Sequence, residues 1–185
     1  MPRFRSPTVP LRYAAIALLM TAAPAQPQAS RTLSPVESEW LETHNEARDD
    51  VGMARLAWSD RLAADAARWA KHLADNDLYD HASPEQRRGQ GENLWKGPRD
   101  QWSATETIGF FVAEKRDFQF GTFPEISRTG QWRDVGHYAQ VIWPETREVG
   151  CAIAYSASDE VLVCRYWPAG NVWGRTIAPE RLTRR

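Results

Sequence analysis

The chain has 185 residues, a formal net charge of −1 and 42% hydrophobic residues, enough for one domain with a sizeable core. It contains 24 acidic and 23 basic residues, and the one local cluster of basic residues lies at the C-terminus. This balance argues against a nucleic-acid-binding protein, which typically presents a concentrated basic face.

The N-terminus has the pattern of a secretory signal peptide, predicted over residues 1–25. Three arginines precede the apolar run of residues 13–20, and Ala23-Pro24-Ala25 provides a small-residue cleavage site. The alternative is a membrane anchor, but the run falls well short of the roughly 20 apolar residues that span a bilayer. We therefore expect a secreted protein, periplasmic or extracellular, without a transmembrane anchor.

Three helices are predicted in the first two thirds of the chain. The first begins at Ser34, which forms a capping box with Glu37, and runs to about Asp50. The second starts after Ser59, because apolar residues recur there at helical spacing. The third begins at Ser103 with a second capping box.

The remaining segments are predicted to be loops, a short helix and a hairpin. Residues 80–101 and 119–133 are interpreted as long loops, and residues 134–143 as a short helix. Two strands follow, at about 148–155 and 161–166. Several helices before a terminal hairpin indicate an α+β domain in which helices cover an antiparallel sheet.

The two cysteines, Cys151 and Cys164, lie in the two predicted strands on either side of a polar turn. Cross-strand partners in a hairpin can meet the distance that a disulfide requires. The alternative is a pair of buried free thiols. A zinc site made from these two residues alone lacks further ligands nearby.

The predicted domain spans residues 34–174, between a short linker at 26–33 and a basic tail at 175–185. The tail contains four arginines and is interpreted as a solvated terminus.

Four segments, in this order, resemble the motifs of the CAP superfamily: the cysteine-rich secretory proteins, antigen five of venoms and the pathogenesis-related one proteins of plants. They are His44–Arg48, Gly91–Leu94, Gly136–Trp143 and Leu162–Val172. The resemblance covers about residues 36–174. It implies a three-layer α-β-α sandwich with a central antiparallel sheet, and Cys151–Cys164 then resembles the terminal hairpin bridge of some relatives.

The resemblance also implies a cleft with two histidines and two glutamates. Carried over by position, these residues are His81, Glu92, Glu114 and His137. Ten residues separate His81 from Glu92, more than in compact family members, so the insert at 82–91 is expected to reshape one wall of the cleft.

Imidazoles and carboxylates together form a ligand set suited to Zn²⁺, with copper or nickel as alternatives. Two histidines argue against Ca²⁺, which prefers oxygen ligands. The alternative is a metal-free His–Glu cluster that fastens the helices to the loop. His44 and His72 are weaker candidates: His44 is expected to pack within the first helix, and His72 to lie on a solvated face.

The resemblance favours a non-enzymatic binding module, because no general catalytic activity defines the superfamily. A metal-dependent hydrolase that uses the same four residues is one alternative, although the chain has no H-E-x-x-H helix and no G-x-S-x-G elbow. A second alternative is a sterol- or lipid-binding protein, as in some relatives. Its candidate loop residues are Phe118, Phe120, Phe123 and Trp132. The alternative is that these aromatic side chains fill the loop's own small core.

Overall fold

The structure, a computed structural model, describes residues 31–178. The predicted signal peptide, the linker as far as residue 30, and residues 179–185 of the predicted tail lie outside the described residues. Within the described residues, 33–178 form one compact unit. Between residues 31 and 178, no helix is both long enough and apolar enough to cross a membrane.

The α-helices of the described chain are α1 (Pro35–Asp49), α2 (Asp60–Asn76), α3 (Pro84–Arg87), α4 (Ala104–Ala113) and α5 (Gly136–Val141). Short 3-10 helices cover Glu114–Arg116 and Trp132–Val135. The strands are β1 (Ala57–Trp58), β2 (Gly91–Pro98), β3 (Gly121–Thr122), β4 (Glu148–Tyr155), β5 (Asp159–Trp167) and β6 (Thr176–Ile177). The first helix begins at its predicted capping box, where the Ser34 hydroxyl accepts a hydrogen bond from the backbone of Glu37.

The main sheet has the strand order β1-β4-β5-β2. Strands β2 and β4 both pair antiparallel with β5, and β1 pairs parallel with β4, so the sheet is mixed at one edge. The sequence pattern indicated a loop over residues 80–101, which was wrong for residues 91–98. That segment contains two glycines and a proline, and it is held as a strand by pairing with β5 rather than by its own propensity.

Alternate residues of the sheet face two separate cores. On one face, Ala66, Ala70 and Leu73 of α2 pack with Val161 and Val163 of β5. On the other face, α1, α4 and α5 cover a larger core that includes Leu162, Cys164 and Tyr166 of the same strand. Helices on both faces of the sheet give the expected three-layer α-β-α sandwich.

Helix α2 packs closely against the sheet at Gly150 of β4. A Cβ atom there would overlap the backbone of Ser59 and Ala63, so only glycine allows this packing distance.

The terminal hairpin carries the predicted disulfide, since Cys151 and Cys164 are directly opposed residues of β4 and β5 and are bonded to each other. The interpretation of two free thiols was therefore wrong. Part of the segment expected to be a solvated tail is folded: Thr176 and Ile177 form β6, which pairs with β3, and Ile177 is fully buried. Burial of this isoleucine secures the chain beyond the predicted domain boundary at residue 174.

Candidate functional site

A cavity of about 320 Å³ opens where β2 begins, beside the N-terminus of α5. Its lining includes three of the four predicted site residues, His81, Glu92 and His137. The fourth, Glu114, lies behind His137 and is bonded to it. The structure therefore brings the predicted residues together as two His–Glu pairs at one cavity.

In the first pair, His81 Nδ1 lies 2.7 Å from Glu92 Oε1. The same carboxylate oxygen accepts a hydrogen bond of 3.0 Å from the backbone N–H of Ala82. The Glu92 side chain is fully buried, whereas 56% of the His81 side chain is exposed. The buried carboxylate thus holds an exposed imidazole in place at the mouth of the cavity.

The buried charge of Glu92 is balanced by Arg165. The two residues are directly opposed in β2 and β5, and Arg165 Nη2 lies 2.8 Å from Glu92 Oε2. Arg165 Nη1 donates to Gln90 Oε1 at 3.3 Å. Burial lowers the pKa of Arg165, and the charge of Glu92 opposes that effect. One carboxylate oxygen of Glu92 is thus held by His81 and Ala82, and the other is paired by charge with Arg165 but accepts no hydrogen bond in the described chain.

In the second pair, His137 Nδ1 lies 2.6 Å from Glu114 Oε1. Glu114 Oε2 accepts hydrogen bonds from the backbone N–H groups of His137 at 2.9 Å and Tyr138 at 3.0 Å. These N–H groups belong to the first turn of α5 and have no partner within the helix. Glu114 therefore caps α5 from another segment, and the imidazole of His137 also stacks on Phe111 with ring centroids 5.1 Å apart.

A buried hydrogen-bonded chain supports His137 from the core. Asn93 Nδ2 donates to the His137 carbonyl oxygen and to the Tyr166 hydroxyl, both at 3.1 Å. That hydroxyl lies 2.8 Å from His44 Nε2, and His44 Nδ1 lies 2.7 Å from the carbonyl oxygen of Trp40. A carbonyl only accepts, so Nδ1 carries the hydrogen and Nε2 accepts from the tyrosine.

Burial lowers the pKa of His44 to about 4, which keeps this ring neutral. His44 packs within the core as expected. His72 is exposed on α2, also as expected.

The free donor atoms of the cleft are the two imidazole Nε2 atoms. Because a carboxylate only accepts, each Nδ1 carries the hydrogen, and in the neutral ring the lone pair is on Nε2. Among residues 31–178, neither Nε2 receives or makes a hydrogen bond.

No three of the four predicted residues place ligand atoms all within 4.8 Å of one another in this part of the chain. His44, Cys151 and Cys164 do meet that distance, but the disulfide removes the two thiolates.

The four aromatic residues of the predicted lipid loop divide into two groups. Phe118 and Phe123 are buried in the main core, where Phe123 contacts Trp143 edge to face. Phe120 is 45% exposed, and Trp132 is half-buried and lines the cavity. Half of this set is therefore core, and Trp132 is the member that reaches the cleft.

Sequence reasoning missed Arg165, Asn93 and Tyr166, which hold the site residues in place. A signal for Arg165 was present, because it alternates with Val161 and Val163 on one face of a predicted strand. An arginine among buried alternate positions indicates an acidic partner on the neighbouring strand. That neighbour, β2, was taken for a loop, so Glu92 was not recognised as the partner.

The chain is similar in sequence to known proteins over most of its length. Residues 41–166 match the model of the cysteine-rich secretory protein family, CAP. Over 142 residues the chain is 34% identical to pathogenesis-related protein 1A of Nicotiana tabacum, covering 76% of this chain and 79% of that protein. It is also 34% identical over 161 residues to human cysteine-rich secretory protein 3, and this match covers 80% of the chain but 62% of that longer protein.

Two solved structures illustrate the similarity of fold. NaASP2 with Zn²⁺ superposes with a TM-score of 0.64 and 26% identity, covering 78% of this chain and 86% of that one. BmVAL-1 superposes with a TM-score of 0.65 and 23% identity, covering 79% of this chain and 83% of that one. The second similarity is one of fold alone.

Proposed function

Because the chain belongs to the cysteine-rich secretory protein family, we propose that it is a secreted, non-enzymatic binding module whose cleft binds Zn²⁺ or a similar divalent metal through His81 and His137. One observation carries the proposal: both imidazoles line one cavity, and each has its Nδ1 bonded to a carboxylate and its Nε2 without a partner in the described chain.

In this proposal the two glutamates orient the ligands rather than bind the metal. Histidines that ligate zinc commonly donate their second ring N–H to a carboxylate, which fixes the ring and raises its basicity. Glu92 and Glu114 have this role toward Nδ1; the second oxygen of Glu92 lies 2.8 Å from Arg165 Nη2, and the second oxygen of Glu114 accepts from the backbone of α5. Water or a group of the binding partner would supply the remaining ligands.

Bound Zn²⁺ would supply a Lewis-acidic centre with open positions for a donor atom of the partner. Binding a partner through the metal in this way requires neither a nucleophile nor a general base from the chain. Secretion is supported by the family and by the disulfide, which persists in oxidising compartments.

The test is calorimetric titration of Zn²⁺ into the folded protein. We expect saturable binding that the His81→Ala, His137→Ala double variant loses and that His72→Ala retains, since His72 lies outside this cavity. Circular dichroism would verify that each variant is folded. If the folded parent does not bind, or if the double variant binds as tightly as the parent, the cleft is not a metal site.

A second candidate function is binding of an apolar ligand at the same end of the molecule. Trp173 is 67% exposed and packs edge to face on Phe123, and Val172 beside it is 44% exposed. Together with Trp132 in the cavity, they form an apolar surface next to polar groups, as lipid sites commonly do.

This candidate is tested by titration with a fluorescent sterol and a fluorescent fatty acid. Binding should weaken in Trp173→Ala but not in Trp102→Ala, since Trp102 is also exposed but packs against Trp95 and Phe110 instead of Phe123. Equal loss in both variants, or no uptake by the parent, would rule it out.

A further inference from the structure

One charged side chain of the cleft has no counter-ion among the described residues. Arg133 lines the same cavity as His81 and His137, and it is exposed. Its guanidinium makes no hydrogen bond or ion pair between residues 31 and 178. Because the side chain is exposed, a ligand that enters the cavity can reach it.

The guanidinium lies over an aromatic wall of the cavity. Arg133 Cζ is 4.9 Å from the centroid of the Trp132 ring, a cation–π contact. That ring lines the cavity and packs over the backbone of Gly136, where a Cβ atom would lie 3.3 Å from it. The carbonyl oxygen of Gly136 accepts a 2.9 Å hydrogen bond from Asn171 Nδ2. The cation is therefore held beside the segment that carries His137.

The charges around the two imidazoles sum to zero before a metal binds. Between residues 31 and 178, four charged side chains line the cavity or bond to a residue that does. Glu92 is paired with Arg165, and Glu114 and Arg133 add one charge of each sign. A divalent metal on the neutral imidazoles would thus add two positive charges that these side chains do not offset. An anionic ligand would offset part of this charge, whereas water would not.

A carboxylate is the anion that suits both the metal and Arg133. Carboxylate oxygens are ordinary ligands of Zn²⁺ in proteins, and the planar guanidinium matches the two oxygens of a carboxylate. Glu92 and Glu114 already hold the imidazoles through Nδ1. The carboxylate must therefore come from the ligand.

We propose that the cleft binds ligands that carry a carboxylate, with one carboxylate oxygen on the metal held by His81 and His137 and the other accepting a hydrogen bond from Arg133. This inference rests on the proposed metal site and names the chemical class of the group that completes it. A small organic acid and the C-terminus of a peptide both present this group, and the experiment distinguishes them.

The experiment is calorimetric titration of benzoate and of N-acetylalanine into the Zn²⁺-loaded and the metal-free protein. Benzamide and N-acetylalaninamide are the matched neutral compounds, and sulfate is the control anion. At least one acid should bind about tenfold more tightly than its amide, than sulfate, and than the same acid binds without metal. The acid with the higher affinity identifies the preferred source of the carboxylate. Equal affinity for acid and amide, for acid and sulfate, or with and without Zn²⁺ would overturn the proposal.

Co²⁺ tests whether the carboxylate reaches the metal. The visible absorption of protein-bound Co²⁺ changes when a ligand enters its coordination shell. Addition of the acid to the Co²⁺-loaded protein should change this absorption in parallel with the binding measured by calorimetry. Binding without a spectral change would place the carboxylate away from the metal and overturn the proposal.

Arg133→Gln separates the ligand contact from the metal site. The variant should bind Zn²⁺ at least as tightly as the parent, because it removes a positive charge from the cavity lining. It should bind the acid about tenfold more weakly, since it loses a hydrogen bond between charged groups. Arg61→Gln is the control, because Arg61 is an exposed arginine of α2 outside this cavity, and both affinities should match those of the parent. Unchanged affinity for the acid in folded Arg133→Gln would overturn the proposal.

Failure of this inference and failure of the metal site give different results. If the folded parent does not bind Zn²⁺, both proposals fail. If the parent binds Zn²⁺ through His81 and His137 but prefers neither acid to its amide, the metal site stands and the carboxylate proposal alone is overturned.

Discussion

Glu92 and Arg165 are directly opposed residues of β2 and β5, and their side chains form a 2.8 Å ion pair that is no more than 3% exposed. The same carboxylate holds His81, and the same guanidinium donates a hydrogen bond to Gln90. One buried pair on a single face of the sheet therefore fixes the carboxylate that holds His81.

Glu92→Gln should destabilise the fold strongly, because it leaves the charge of Arg165 buried without its partner. Breaking a buried ion pair in this way costs about 3–5 kcal/mol. Urea unfolding measures the loss, and Asp75→Asn provides the control. Asp75 pairs with Lys71 on an exposed helix surface, where an ion pair contributes less than about 1 kcal/mol.

Replacing both Glu92 and Arg165 by methionine should cost less than Glu92→Gln alone, because no uncompensated charge remains. If Glu92→Gln is no more destabilising than Asp75→Asn, the pair does not stabilise the fold.

Glu114→Ala should have two separate effects. It removes the acceptor for two N–H groups of α5, and loss of a helix cap costs about 0.5–2 kcal/mol. It also frees the ring of His137, and loss of such an orienting partner weakens metal affinity about 10–100-fold. Urea unfolding and Zn²⁺ titration measure these effects, with the exposed Glu125→Ala as control. Complete loss of Zn²⁺ binding by a folded variant would identify Glu114 as a ligand instead.

His44 should make stability depend on pH. Burial lowers its pKa from 6.5 to about 4, and the charge of Arg48 acts in the same direction. Between these values the unfolded chain binds a proton that the folded chain does not, so the free energy of unfolding falls as the pH drops from 6.5 to about 4. The difference between the two pKa values corresponds to a change of roughly 3 kcal/mol in the free energy of unfolding.

Carboxylates titrate near the lower end of this range, so the measurement is the difference between the parent and His44→Gln. Urea unfolding at several pH values should show a weaker dependence in the variant between pH 6.5 and 4. If the free energy of unfolding varies with pH in the same way in both proteins, His44 is not the cause of the pH dependence.

Removing the disulfide should lower stability without changing the fold. Cys151 and Cys164 are 13 residues apart, and closing a loop of this size contributes about 3 kcal/mol in the chain-entropy model. The Cys151→Ala, Cys164→Ala variant should therefore unfold at lower urea concentration than the parent. Reducing agent should shift the parent toward the variant and leave the variant unchanged. A parent that does not respond to reduction under partly unfolding conditions would contradict this role.

Much of the fold was readable because its signals are local. The capping boxes at Ser34 and Ser103 predicted the starts of α1 and α4, and two β-like runs on either side of a polar turn predicted β4 and β5. The family motifs identified His81, Glu92, Glu114 and His137 as one set. These features depend on a few neighbouring residues, so they can be recognised without knowledge of the tertiary structure.

What the sequence by itself determined was the family, the three-layer sandwich and the identity of the cleft residues. Only the tertiary structure decided that residues 91–98 form a strand, that Arg165 neutralises Glu92, and that each imidazole is bonded to a carboxylate through Nδ1. The reason is physical: strand pairing and buried ion pairs join residues that are distant in the chain, such as Glu92 and Arg165. Their free energy comes from partners that no local pattern specifies.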